Sequence, residues 1–204
     1  MTRRFLPWTC IPTQEHGNEK ELFLTHRNKP STLTPKPKQK PQDTKVPQSI
    51  GPLLRQQWQK TASKPGGKWL FSKLLGKMVP YTGSIGATIQ TLEPGHCVVT
   101  LNDRRKVRNH LKSIHAIALC NLGEMVTGMA LMNSLPDKTR GILTGISVEY
   151  LKKARGLLTA ECRCDIPSDN SEREYELTGE IRDAENEVVT VVKARWLIGP
   201  EKEK

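Results

Sequence analysis

The chain is 204 residues long, enough for one domain with an appendage or for two small domains. It carries 32 Lys and Arg against 21 Asp and Glu, a formal net charge of +11, yet 11 of the basic and only 4 of the acidic residues fall in the first 60, so the remainder is nearly balanced and its largest basic feature reads as a local run and not a whole face. No apolar run approaches the roughly 18 residues of a transmembrane helix, and five cysteines without a CxxC pair argue against a disulfide scaffold or zinc ribbon and fit a reducing compartment.

Residues 1–52 read as a basic, Pro/Lys-rich tail. The stretch THRNKPSTLTPKPKQKPQDTKVPQSIGP holds too little apolar area to offset the entropy of ordering it. Its first residues include Arg3 and Arg4 among a few apolar groups, as a mitochondrial targeting segment would, but Glu15, Glu19 and Glu21 dilute that character, so mitochondrial and cytoplasmic placement both stay open. Residues 53–79 form a helical lead-in, in which Trp58, Trp69, Leu70, Phe71, Leu74 and Leu75 recur at helical spacing in two short amphipathic helices broken by Pro65-Gly66-Gly67.

The domain proper spans 80–200. Residues 84–92 alternate Ile85, Ala87 and Ile89 with smaller or polar groups, and Glu93-Pro94-Gly95 turns the chain into HCVVTLND, which makes a β-hairpin. From Ser113 to Leu135 the pattern becomes that of a helix of about 23 residues, apolar on nearly every face and ended by Pro136-Asp137. Four strand-like runs follow, at 142–151, 157–166, 173–183 and 188–198, separated by turn-forming clusters. The class is α+β, in the order β-β-α-β-β-β-β. A helix so apolar needs cover on all sides, and one sheet wrapped around it leaves part of it bare, so a homodimer is expected and association of two dimers into a tetramer stays open.

Polar groups inside that helix carry the most information, because an unsatisfied one costs a few kcal/mol. They are His115, Asn121, Glu124 and Thr127, with Asn109 and His110 just upstream. At 100° per residue His115 and Glu124 lie about 180° apart around the helix and about 13 Å apart along it, so one helix alone cannot aim both into one pocket. A two-fold axis could bring Glu124 of one subunit to the His115 end of the other, giving two composite sites per dimer. The helix start also offers unpaired N–H groups at the positive end of the dipole, Ala116 N–H first among them, suited to a developing oxyanion. The plainer alternative makes His115 a helix-start residue and Glu124 a neutral or paired one.

Element order and residues together resemble the hotdog fold, and in particular its phenylacetyl-CoA-type acyl-CoA thioesterases, over roughly Lys68 to Ile198: Asn109 stands six residues before His115, and Glu124 nine after it. RNHLKSIHAIALCNLGE, PYTGSIG and EYLKKARG resemble more closely still a poorly characterised hotdog branch. The resemblance implies that Asn109 holds the thioester or the water and that His115 orients it. It further implies that Ala116 lends its N–H to the thioester carbonyl, and that Glu124 of the other subunit acts as nucleophile or general base. A carboxylate in so apolar a setting should have a raised pKa, suited to a base working near neutrality. His115-Ala116-Ile117 stands where those thioesterases usually have His-Gly-Gly, and Glu stands for Asp at 124. The first change narrows the passage for the acyl group or pantetheine arm, which makes a non-catalytic acyl-CoA or lipid-binding protein the alternative; a hydratase is compatible with the fold as well.

Two basic runs, Arg104-Arg105-Lys106-Val107-Arg108 and Lys152-Lys153-Ala154-Arg155, lie at strand ends. By the resemblance, Arg104, Arg105, Arg108, Lys152, Lys153 and Arg155 would face the phosphates of coenzyme A, which enters as part of the substrate and not as a cofactor. Nucleic acid fits poorly, since the three Phe and three Tyr are not interleaved with these runs. No metal site is expected: Cys162 and Cys164 share a strand face but lack a second ligand pair. Cys120 reads as core, and His96 and His110 as surface residues.

Overall fold

The structure, a computed structural model, describes residues 50–201. The tail expected for 1–52, with its targeting segment, lies outside the described residues except for its last three, which open the first helix. That helix, α1 (Ile50–Thr61), is followed by α2 (Gly67–Met78) and by a short α3 (Pro80–Ser84) that the sequence pattern did not announce. Gly66 sits in the left-handed region at φ 71° as the N-cap of α2, which is how the Pro65-Gly66-Gly67 break reverses the chain. Strands β1 (Thr88–Glu93) and β2 (His96–Leu101) form the expected hairpin, then α4 (Ala116–Met132), then β3 (Thr139–Tyr150), β4 (Leu158–Arg163), β5 (Arg173–Arg182) and β6 (Val188–Pro200).

All six strands belong to one sheet in the order β1-β2-β4-β5-β6-β3, every neighbouring pair antiparallel. Alternation along the strands sets the inner face: Cys97, Val99 and Leu101 of β2 and Val192, Ala194, Trp196 and Ile198 of β6 are all buried. Helix α4 lies against that face and buries Leu119, Leu122, Val126, Ala130 and Leu131. Each such side chain contributes about 1.5–3 kcal/mol of burial, so sheet and helix stabilise one another rather than standing alone. This is the expected hotdog order, a sheet wrapped around one helix.

Close approach is made possible by glycines. A Cβ on Gly123 would stand 2.3 Å from Val192 Cγ2, and one on Gly128 would stand 3.0 Å from the Trp196 ring. The Trp196 indole N–H donates to Thr127 Oγ1 at 3.4 Å, and that hydroxyl donates to the Gly123 carbonyl at 2.9 Å. These contacts fix the rotation of α4 about its own axis.

The central helix is shorter than the apolar run. Seventeen residues are helical, not about 23. At the start, Ile114 N–H donates to the Ala154 carbonyl and His115 N–H to the Val107 carbonyl, so both residues are extended. At the end, Ser134 leaves the helix, its hydroxyl donating to the Ala130 carbonyl and accepting the Gly95 N–H. Ile114 and Leu135 are apolar because they are buried, not because they are helical. His96 also departs from expectation: its side chain is 15% exposed, and its Nε2 lies 2.9 Å from Glu161.

Candidate functional site

Glu124 follows Gly123 on α4 and is half-buried. The stripe Ile117, Cys120, Glu124, at spacings of three and four, is left partly uncovered: Ile117 is 53% exposed, and Cys120 and Glu124 are half-buried. Among the described residues the Glu124 carboxylate has no hydrogen-bond or ion-pair partner. Burial, and secondly the Glu124 charge one turn away, push the Cys120 thiol upward, which keeps it protonated and unsuited to nucleophilic attack.

The helix start is built by His115 and Asn109. His115 is the N-cap, and its Nδ1 accepts the Ile117 N–H at 3.1 Å. That bond assigns the ring proton of a neutral imidazole to Nε2. The Ile117 donor is thereby used, and Ala118 and Leu119 N–H both donate to the His115 carbonyl. Ala116 N–H is left without an acceptor among the described residues. On the other side of that residue, the Tyr150 hydroxyl donates to the Ala116 carbonyl at 3.0 Å, a contact the sequence did not foreshadow because 34 residues intervene.

Asn109 organises the approach to the helix. Its Oδ1 accepts the Leu111 N–H at 2.9 Å, the Ser113 N–H at 3.3 Å and the Ser113 hydroxyl at 3.2 Å, while Lys112 adopts φ 56°. Only the Nδ2 end of that amide is free to meet a ligand. Asn109 and Ala116 line one 350 Å³ cavity together with Tyr150, Lys152 and Lys153. His115 lines another, of 450 Å³, with Arg108, Lys106, Ile117 and Asn121. Asn121 is buried, its Nδ2 donating to the Tyr81 carbonyl at 3.0 Å while its Oδ1 has no partner. Glu124 lines neither cavity. One chain therefore brings Asn109 and Ala116 together, sets the neighbouring His115 in a second cavity at the helix start and holds Glu124 about two turns further on.

The six basic residues divide. Arg108 Nε donates to Asp103 at 2.6 Å, and the other Asp103 oxygen accepts the Gly156 N–H at 3.1 Å, so this pair clasps the loop after β2 to the loop before β4. The hydrogen bond from Arg108, helped by the Gly156 N–H and the nearby guanidinium charges, holds the Asp103 carboxyl below the usual carboxylate range. Lys152 pairs with Glu187 and Asp183, which raise its pKa. Arg104 donates to the Ile85 carbonyl and lines a separate cleft beside α2. Arg105, Lys153 and Arg155 are exposed and form no ion pair among the described residues.

No group of three or more His, Cys, Asp or Glu suited to a metal ion occurs among the described residues. Cys97 faces Cys162 across β2 and β4, and both are buried. Burial pushes Cys162 up to about 12 and Cys164 up to about 11, with the neighbouring thiol or carboxylate adding to each. These thiols behave as packing groups. No helix of the described residues is long and apolar enough to cross a membrane.

Residues 67–198 match the model of a family described as a domain of unknown function, DUF4442. Among solved structures, a structural-genomics target is 28% identical, covers 74% of this chain and 99% of its own, and superposes with a TM-score of 0.63. A Pseudomonas aeruginosa protein of unknown function, named as a probable thioesterase, is 22% identical over 63% of this chain and 93% of its own, with a TM-score of 0.58. A phenylacetic acid degradation-related protein from Ralstonia eutropha is 18% identical over 58% of this chain and 89% of its own, with a TM-score of 0.51. No curated protein matches. With 132 of its residues under the family model, the chain belongs to the DUF4442 family, and its sheet wrapped around one central helix is the hotdog fold.

Proposed function

We propose that this protein is a homodimeric acyl-CoA thioesterase whose two sites each combine the helix start of one subunit with Glu124 of the other. The observation that carries the reading is the unpartnered Glu124 carboxylate on the partly uncovered stripe of α4. Beside that stripe runs β3, an edge strand of 12 residues with no neighbour on its outer side among the described residues. Cross-strand partners share a face, so Ile146, Val148 and Tyr150, opposite Ala194, Val192 and Thr190, belong to the inner face; yet Ile146 is 37% and Tyr150 48% exposed. A long free edge and bare inner-face apolar residues are stabilised by pairing with a second copy, and an isologous contact sets the two α4 stripes against each other.

In the reaction, Ala116 N–H donates to the thioester carbonyl oxygen and strengthens that bond as the oxygen becomes anionic. Glu124 of the partner subunit takes a proton from water as the water oxygen bonds to the carbonyl carbon. Collapse breaks the C–S bond and returns that proton to the departing sulfur, giving a free acid and coenzyme A. Asn109, through Nδ2, and His115, through Nε2–H, orient the arm and the water. Of the six basic candidates, Arg105, Lys153 and Arg155 form no ion pair among the described residues and are the ones to meet the phosphates. The thioesterase name of the Pseudomonas aeruginosa relative supports this chemistry.

Thiol release from short, medium, long and aromatic acyl-CoAs by the full chain, beside Glu124→Ala, tests the reading. Turnover abolished by the substitution supports it; equal hydrolysis by the two proteins across the panel sinks it. The second reading, binding without turnover, is favoured by Ile117, whose half-exposed side chain stands at the helix start where a glycine would leave room. It predicts that acyl-CoA raises the melting temperature while no thiol appears.

A further inference from the structure

From Ile50 to Leu92 there is no Asp or Glu, while Arg55, Lys60, Lys64, Lys68, Lys73 and Lys77 all fall there. Arg55 donates to the Asn133 and Leu135 carbonyls and Lys68 to the Gln90 carbonyl, so those two hold the lead-in onto the domain. Lys60, Lys64, Lys73 and Lys77 are exposed and form no ion pair among the described residues.

Helix α2 buries Gly67, Phe71, Ser72 and Leu75, sets Gly76 against Gly83 of α3 and turns its large remaining side chains outward. Trp69 is 58%, Leu70 46%, Leu74 47% and Met78 50% exposed, and Tyr81 just beyond it 67%. Lys73 and Lys77 stand between Trp69 on one side and Leu70, Leu74 and Met78 on the other, and Lys73 Nζ lies 5.7 Å from the Trp69 ring centre. The helix is thus a ridge with unlike flanks. One flank borders a 350 Å³ cleft with Lys73, Lys77 and Arg104 in its lining and no carboxylate. The other borders a 370 Å³ groove between α1 and α2, lined chiefly by Leu53, Leu54, Phe71, Leu74 and Met78.

We propose that the ridge of α2 docks on an anionic phospholipid surface, the cationic cleft receiving a headgroup phosphate and the apolar groove and Trp69 entering the acyl boundary. A face with cations and no anions is complementary to such a surface and repels a second copy of itself. Exposed Trp and Tyr beside Leu, Met and snorkelling Lys are the side chains that partition to the boundary between headgroups and acyl chains. The helix lies in the interface without crossing it, being 12 residues long. This binding does not depend on thioester hydrolysis or on Glu124.

Flotation of the full chain with neutral phosphatidylcholine vesicles and with vesicles of about 30% phosphatidylglycerol tests it. The expected result is binding to the anionic vesicles that falls steeply as salt rises above about 0.1 M, with little binding to neutral ones. Lys73→Glu/Lys77→Glu and Trp69→Ser/Leu70→Ser, all at exposed positions, keep the fold by circular dichroism and each weaken the binding by about tenfold or more. Two outcomes overturn the proposal. One is no binding by the wild type, including the case where Trp69→Ser/Leu70→Ser instead changes the oligomeric state by light scattering, which would mean that protein covers the ridge. The other is vesicle binding that both double variants retain, which would assign it to another part of the chain.

Discussion

His115 Nδ1 accepts the N–H of Ile117 at 3.1 Å, so the residue that resembles a catalytic histidine is also the cap of the helix that carries Glu124. The two roles separate by substitution. His115→Ala should cost about 1 kcal/mol of stability through loss of the cap and should also lower thiol release, whereas His115→Asn, which can cap, should recover the melting temperature without recovering the rate. Full recovery of both would make His115 a cap alone.

Glu124 makes no side-chain hydrogen bond among the described residues and is half-buried. Glu124→Gln should therefore leave the unfolding free energy within about 0.5 kcal/mol of wild type, while hydrolysis falls by about a hundredfold or more. Thermal unfolding and thiol release on the same preparation read the two quantities together.

The seat of α4 on the sheet depends on Gly123, whose added Cβ would stand 2.3 Å from Val192. Gly123→Ala should destabilise by about 1–3 kcal/mol, since neither the helix backbone nor the buried β-branched Val192 can yield cheaply. Adding Val192→Ala should restore part of the loss, a non-additivity readable from denaturant midpoints. Independent effects would mean that the contact does not set the helix position.

Asp103 supplies a pH dependence. Its folded pKa is depressed, chiefly by the Arg108 hydrogen bond, so the folded state binds its proton at lower pH than the unfolded state does. The stability it contributes is full above the unfolded value, near pH 4, and is lost as pH falls through the folded value. Asp103→Asn should lower the melting temperature at pH 7 by an amount equivalent to about 1 kcal/mol and should flatten the curve between about pH 5 and 3. A wild-type and a variant curve with the same acid slope would remove Asp103 from the account.

The dimer reading makes β3 the contact. Ile146→Glu places a charge on the bare inner-face patch, where a single chain tolerates it because the site is 37% exposed. It should yield a folded monomer by sedimentation that hydrolyses nothing, a joint loss that follows from a site shared by two chains.

Much of this arrangement was legible as pattern. The hairpin, the apolar helix and the four later strands follow from period-2 and helical spacing, because burial on one face is written into alternate residues, although the first strand begins at Thr88 and not at 84. The helix ends were overrun because Ile114 and Leu135 are as apolar as helical neighbours, though the first is extended and the second lies beyond the helix. Helix α3 was missed since Pro80–Ser84, PYTGS, is too short to show a period. What no local pattern contains is pairing over distance. That Asp103 holds the Gly156 N–H, that Asp183 and Glu187 occupy Lys152, and that Tyr150 reaches Ala116 all depend on the sheet order, which pairs β2 with β4 and places β3 at the edge beside β6. The site residues stood out as polar groups in and just before one apolar helix and through the resemblance, and helical spacing put Glu124 on the far side from His115.

The most direct test of a site shared between subunits is complementation. Glu124→Ala and Asn109→Ala proteins, each inactive alone, are mixed under conditions that exchange subunits, and thiol release is followed. If each site takes Asn109 and Ala116 from one chain and Glu124 from the other, half of the dimers after exchange are mixed and hold one intact site of two, so activity should rise to about a quarter of wild type. No recovery, with exchange demonstrated by a mass-tagged subunit, would contradict the shared site.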